Sequence, residues 1–144
     1  MQLYPAIDMK NGRCVRLRQG EFKNITVYSE HPEEIAALWQ EKKATFLHLV
    51  DLDGALAGRS VNEETIKKIV SSVNIPVEIG GGIRSEEAVK NMLSLGVKRV
   101  IIGTKAVEEP EFLKDMVEKF GADAIAAGID AKAGMVAIQG WEQV

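Results

Sequence analysis

Short apolar runs alternate with amphipathic stretches along the chain. Residues 3–7, 46–50, 75–79, 97–102 and 124–129 are almost continuously apolar, as expected of buried strands. Between them apolar residues recur at helical spacing: Ile35, Ala36, Leu38 and Trp39, then Ile66, Ile69 and Val70. Val89, Met92, Leu93 and Leu95 form a third stripe, and Phe112, Leu113, Met116, Val117 and Phe120 a fourth. The helices are punctuated. Pro32 sits at a first turn before Glu33 and Glu34, Asn62 or Ser60 caps the second helix, and Ser85 precedes Glu86 and Glu87. Pro110 sets the last helix, and Gly96 and Gly121 are stop signals. The segment to about Arg18 reads as a hairpin around Asn11-Gly12. Residues 19–31 read as a polar loop. A second hairpin runs through Met135 to Ile138 and on to Gly140-Trp141.

Strands and helices that alternate at this spacing require parallel pairing through right-handed crossovers. Apolar strands predict helices over both sheet faces. The fold class is therefore α/β, in one domain over residues 1–144. Two architectures fit: an open doubly wound sheet, or part of an eightfold barrel.

Composition narrows the function. With 46% apolar and 27% charged residues and a net charge of −3, no nucleic-acid coat or membrane-surface role is expected. No apolar run is long enough to span a bilayer, and Asp8 and Lys10 fall too early for a signal peptide. The single Cys14 forms no internal disulfide, which favours a reducing, cytoplasmic setting. No His- or Cys-rich cluster suggests a metal. Arg13, Arg16, Arg18 and Lys23 crowd one early segment, which suits either an anionic substrate or a solvated hairpin.

Each strand ends in a chemically useful group: Asp8, then Asp51 and Asp53, then Gly80-Gly81-Gly82, then Gly103-Thr104, then Asp130. In parallel α/β folds the site forms at these ends. The pattern Ile7-Asp8-x-Lys10-x-Gly12 recurs as Ile129-Asp130-x-Lys132-x-Gly134. Two facing carboxylates suit general acid–base chemistry. Three successive glycines exceed what a tight turn needs and favour a phosphate on exposed N–H groups, with Arg84 adding charge. By strand parity His48 points opposite to Asp51, which favours a structural histidine. His31 reads as a loop residue. Trp141 suits stacking on a planar ring, or the edge of the core.

These residues resemble a known family. Pro5-Ala6-Ile7-Asp8, Gly12-Arg13, Val15-Arg16-Leu17 and Gln19-Gly20 resemble the opening of the phosphoribosylformimino-5-aminoimidazole carboxamide ribotide isomerases of histidine biosynthesis. His48 to Ala55, Gly80 to Arg84, Ile102-Gly103-Thr104 and Gly140-Trp141 are similar to its later motifs. The cyclase subunit of imidazole glycerol phosphate synthase is a related alternative. Its first strand usually reads Cys-Leu-Asp and its fourth ends in a Ser-Ile-Asn-like sequence, so Ala6-Ile7-Asp8 and Ile102-Gly103-Thr104 side with the isomerase.

The resemblance implies a TIM barrel of the ribulose-phosphate-binding type and an Amadori rearrangement of a bisphosphate substrate, with no cofactor and no metal. Asp8 would take the proton from the sugar C2, and Asp130 would protonate the ring oxygen. Arg16 would contact substrate, and Gly81, Gly82, Gly103 and Thr104 would form a phosphate region. Asp51, Arg84 and Trp141 are further candidates. Complete barrels need about 250 residues, so the chain corresponds to a partial barrel, truncated to about five βα units. Its open edge would expose unpaired backbone groups. Self-association through that edge is expected, and activity is expected to need the remaining units. A non-catalytic phosphate-binding fragment is the other outcome.

Overall fold

The computed structural model describes residues 1–18, 21–132 and 135–137. A tight hairpin opens the chain: β1 (Ala6–Lys10) and β2 (Arg13–Arg18) pair antiparallel, Lys10 against Arg13. Asn11 (φ 49°) and Gly12 (φ 74°) both adopt the left-handed conformation that a two-residue turn demands. The polar loop expected at 19–31 is instead largely β3 (Glu21–Ser29), antiparallel to β2. Its apolar residues alternate with polar ones, and Val27 and Ile25 pair with Val15 and Leu17. An alternating strand half open to water averages to a polar segment, which hides it from a search for apolar runs.

Four further strands follow, separated by helices: α1 (Pro32–Glu41), β4 (Leu47–Asp51), α2 (Leu52–Ala57), α3 (Glu63–Ser72), β5 (Val77–Gly80), α4 (Glu86–Ser94) and β6 (Arg99–Ile102). Then come α5 (Thr104–Glu108), α6 (Pro110–Phe120), a 3-10 turn (Ala122–Ala124) and β7 (Ile125–Ala127). Strands β8 (Asp130–Lys132) and β9 (Met135–Ala137) form a separate two-stranded sheet. The expected helices are present, and α2 and α5 are additional. Both are short, and both sit directly after a strand end. The expected strand bounds shift by a few residues, β1 beginning at Ala6 rather than Leu3.

The main sheet runs β3-β2-β1-β4-β5-β6-β7, with β1 and β4–β7 parallel. Each parallel strand lies beside the one before it in the chain. A doubly wound sheet reverses direction at a switch point; this order has none and is the winding of a barrel wall. Among the described residues the wall stays open, ending at β3 and β7.

Strand register explains the two faces. Ile7, Leu49, Ile79, Val100 and Ile125 form one row across five strands, and all are buried. They pack with Ala36, Ile66, Ile69, Val89, Met92 and Met116 from the helices. Burying such side chains stabilises by about 1.5–3 kcal/mol each, so this layer is the core. The opposite face carries the rows Ala6–His48–Glu78–Arg99 and Asp8–Val50–Gly80–Ile101–Ala126. The expectation of helices over both faces fails here, because this second face lines a cavity.

Candidate active site

The cavity measures about 490 Å³ and lies against the inner face and the C-terminal strand ends. Asp8 enters it from β1 and Asp130 from the start of β8; Gly80, Gly81, Gly82, Arg84, Gly103 and Thr104 contribute the loops between. Six of the sequence candidates therefore share one cavity with Arg84. Burial pushes the Asp8 carboxyl above its ordinary value, opposed by the nearby charges of His48 and Arg16. Arg16 itself is exposed on β2, outside the cavity lining, next to Val15, the register partner of Asp8. Trp141 lies outside the described residues, as do Gln19, Gly20, Gly134 and Gly140.

Two of the three successive glycines answer to packing. A Cβ on Gly81 (φ +108°) would overlap the Asp51 carbonyl, and one on Gly82 (φ +76°) would come within 2.6 Å of the Arg59 and Gly54 carbonyls. Gly80 is different, with its nearest neighbour, Ile101, at 3.6 Å. The turn thus accounts for more of the run than the sequence suggested. The start of α4 is also taken: Ser85 Oγ accepts from the Ala88 amide at 3.1 Å, and Glu86 and Glu87 fill the first turn. The start of α5 differs, because Gly103 precedes it with no side-chain cap and no acidic residue in its first turn. Arg84 is half-buried at the cavity wall beside Gly58, and no described carboxylate pairs with it.

Asp51 belongs elsewhere. It is fully buried, does not line the cavity, and caps α2. Its carboxylate accepts from the amides of Gly54 (2.8 Å), Val61 (2.8 Å) and Asn62 (3.1 Å), and from Asn62 Nδ2 (2.7 Å). A substrate contact is corrected to a structural role, because every lone-pair direction is in use. Asn62 is not the side-chain cap expected of it. Its amide also donates to Asp53 at 2.9 Å, and its oxygen accepts from the Gly12 amide at 2.8 Å. Asp53 accepts from the Asn11 amide at 2.6 Å. This cluster ties the first turn, and hence the end of β1, to the end of β4.

The inner face carries charged residues not singled out by the sequence reading. Glu78 is buried, with 7% of its side chain exposed, and accepts from Arg99 Nε at 2.8 Å and from Arg99 Nη2. His48 Nδ1 lies 2.7 Å from the other Glu78 oxygen. Arg99 rests on Phe46 (5.1 Å) and Tyr4 (6.0 Å), whose rings stack at 4.8 Å. The signal was present as single polar residues inside apolar strands. Among the described residues, no cluster of three or more His, Cys, Asp or Glu could hold a metal, and no helix is long and apolar enough to cross a membrane.

The family model described as "histidine biosynthesis protein" matches residues 2–144. The chain belongs to that family. It is 60% identical over 144 residues to a protein of Lachnoclostridium phytofermentans named 1-(5-phosphoribosyl)-5-((5-phosphoribosylamino)methylideneamino) imidazole-4-carboxamide isomerase. The match covers 100% of this chain and 60% of that protein. Isomerases of the same name from Roseiflexus castenholzii and Acetivibrio thermocellus are 53% identical over 143 residues and 50% over 141. Those matches cover 99% and 98% of this chain, and 60% and 59% of the relatives. The chain thus spans about 60% of the length of the curated relatives it matches. The histidine biosynthesis family accounts for the Asp8 and glycine motifs in one scheme, and its members here are named as isomerases rather than cyclases.

Proposed function

We propose that the chain carries the acid–base pair of an aldose–ketose isomerase of histidine biosynthesis, working by an Amadori rearrangement on a bis-phosphorylated aminoimidazole carboxamide ribotide. The observation that carries this reading is the single cavity lined by both Asp8 and Asp130, with the Gly81-Gly82 and Gly103-Thr104 turns between them.

Asp130 protonates the furanose ring oxygen. The ring C–O bond breaks as the amine lone pair forms a C=N bond at C1. Asp8 takes the C2 proton, and the C–H electrons form a C1=C2 double bond while the nitrogen becomes neutral. The enol then loses its hydroxyl proton and C1 gains one, giving the ketose with no external oxidant or reductant. A carboxyl whose pKa is raised toward neutrality is a stronger base than an ordinary aspartate. One phosphate is taken by the uncapped start of α5 with Gly81 and Gly82, helped by Arg84. Arg16 supplies a second substrate contact from the hairpin. No cofactor takes part in this scheme.

The free edge of β7 supports self-association of the chain, and the reading places it in the cytoplasm with its buried, unpaired Cys14. Light scattering tests the first point: a monomer at all concentrations contradicts it. The activity test supplies the C-terminal remainder of a relative in trans and follows aldose consumption. Turnover that disappears in Asp8→Asn is expected. Equal rates from wild type and Asp8→Asn overturn the reading, and turnover of the ketose with ammonia assigns a cyclase instead.

A further inference from the structure

The row Ala6–His48–Glu78–Arg99 lies directly beneath the row that holds Asp8. A barrel interior is filled more stably by aliphatic side chains than by a buried ion pair, so charged residues in this row call for an explanation. Their contacts form a chain that ends near Asp8. Arg99 is held on Phe46 and Tyr4 and engages one oxygen of Glu78 through two nitrogens. That leaves the other Glu78 oxygen for His48, 2.7 Å away. A carboxylate paired with a guanidinium only accepts, so His48 Nδ1 donates and its ring orientation is set. Ala6 pairs with His48 and Asp8 with Val50, which makes His48 and Asp8 diagonal neighbours on one face of adjacent strands. Both line the cavity.

We propose that His48 is a positioning residue for Asp8, oriented through Glu78 by Arg99. This rests on the reading of Asp8 as the proton acceptor. The imidazole, with Nδ1 committed to Glu78, is favoured in its protonated form and gives Asp8 a fixed positive neighbour. That neighbour offsets the burial of Asp8 and holds the carboxylate ionised when substrate arrives. The other groups facing Asp8 from β2 are Arg16, whose charge acts in the same direction, and buried Cys14. Across the cavity stand Arg84 and Asp130, of opposite charge. Only His48 is in turn gripped by a buried carboxylate.

The test needs no catalysis. Carbon-13 and imidazole NMR titrations are run on the whole chain, with Asp8→Asn identifying the Asp8 signal. In wild type, the His48 resonance shifts as Asp8 titrates, and this step is missing in Asp8→Asn. In His48→Gln the Asp8 midpoint rises by about one pH unit; in Glu78→Gln it rises by less. A purely structural role for His48 predicts no such step. Absence of the step in wild type overturns the proposal, as does an unmoved Asp8 midpoint in folded His48→Gln. The two readings fail separately. Turnover that survives Asp8→Asn removes the base assignment while leaving the measured coupling, and missing coupling with turnover abolished by Asp8→Asn removes only the positioning role.

Discussion

Asp8 and Asp130 line one cavity of about 490 Å³, Asp8 within β1 and Asp130 at the start of β8, with the parallel strands β4–β7 between them in the chain. Positioned proton transfer contributes about 10²–10⁴-fold to rate. In an isomerase assembled with the missing C-terminal remainder, Asp8→Asn and Asp130→Asn are each expected to lower kcat by that amount, with KM little changed. Steady-state kinetics check this. A loss confined to KM would reassign either residue to binding.

Asp8 also links stability to pH. Its carboxyl binds its proton more tightly folded than unfolded, because burial penalises the charge. The stability it contributes is therefore full below the ordinary aspartate pKa and is lost as pH rises through the raised, folded value. Asp8→Asn removes that penalty. Urea unfolding is expected to show Asp8→Asn more stable than wild type at pH 7, with a smaller advantage at pH 4. A functional residue that costs stability is a common trade-off. An equal difference at both pH values contradicts the linkage.

The three glycines separate by what surrounds them. Gly81→Ala forces a Cβ into the Asp51 carbonyl at a positive φ, and destabilisation of about 3 kcal/mol or more is expected. Gly80→Ala meets only Ile101 at ordinary contact distance, so unfolding shifts by about 1 kcal/mol or less. Its methyl group instead faces the cavity and raises KM for a phosphorylated substrate. Thermal melts and inhibition by inorganic phosphate distinguish the pair.

Asp51 behaves as a structural residue. Asp51→Asn turns one acceptor into a donor facing two buried N–H groups, with a cost of about 3 kcal/mol. In whatever fraction folds, the affinity for phosphate is expected to be unchanged. Weaker binding by folded Asp51→Asn would return this residue to the site.

The match between reading and structure is uneven for a physical reason. The parity that set His48 opposite Asp51 holds. Asp51 faces the helices, however, so opposite to it means into the cavity. Alternation along a strand tells which residues share a face, but only packing tells which face is inside. The same limit hid β3, whose alternating residues average to polar, and Asn62, whose partners lie about ten and fifty residues away in the chain.

Local chemistry was sufficient to determine the alternation of strands and helices, the Asn11-Gly12 turn, the Ser85 cap and the family, because each depends on neighbouring residues or on short motifs. The sequence alone also marked Asp8 and Asp130 as a pair. Three things needed the tertiary structure: the one-directional strand order that excludes a doubly wound sheet, the role of Asp51 as a buried anchor, and the charged row beneath Asp8. Each depends on register between strands distant in the chain, where side chains meet only once the core on the opposite face has been buried.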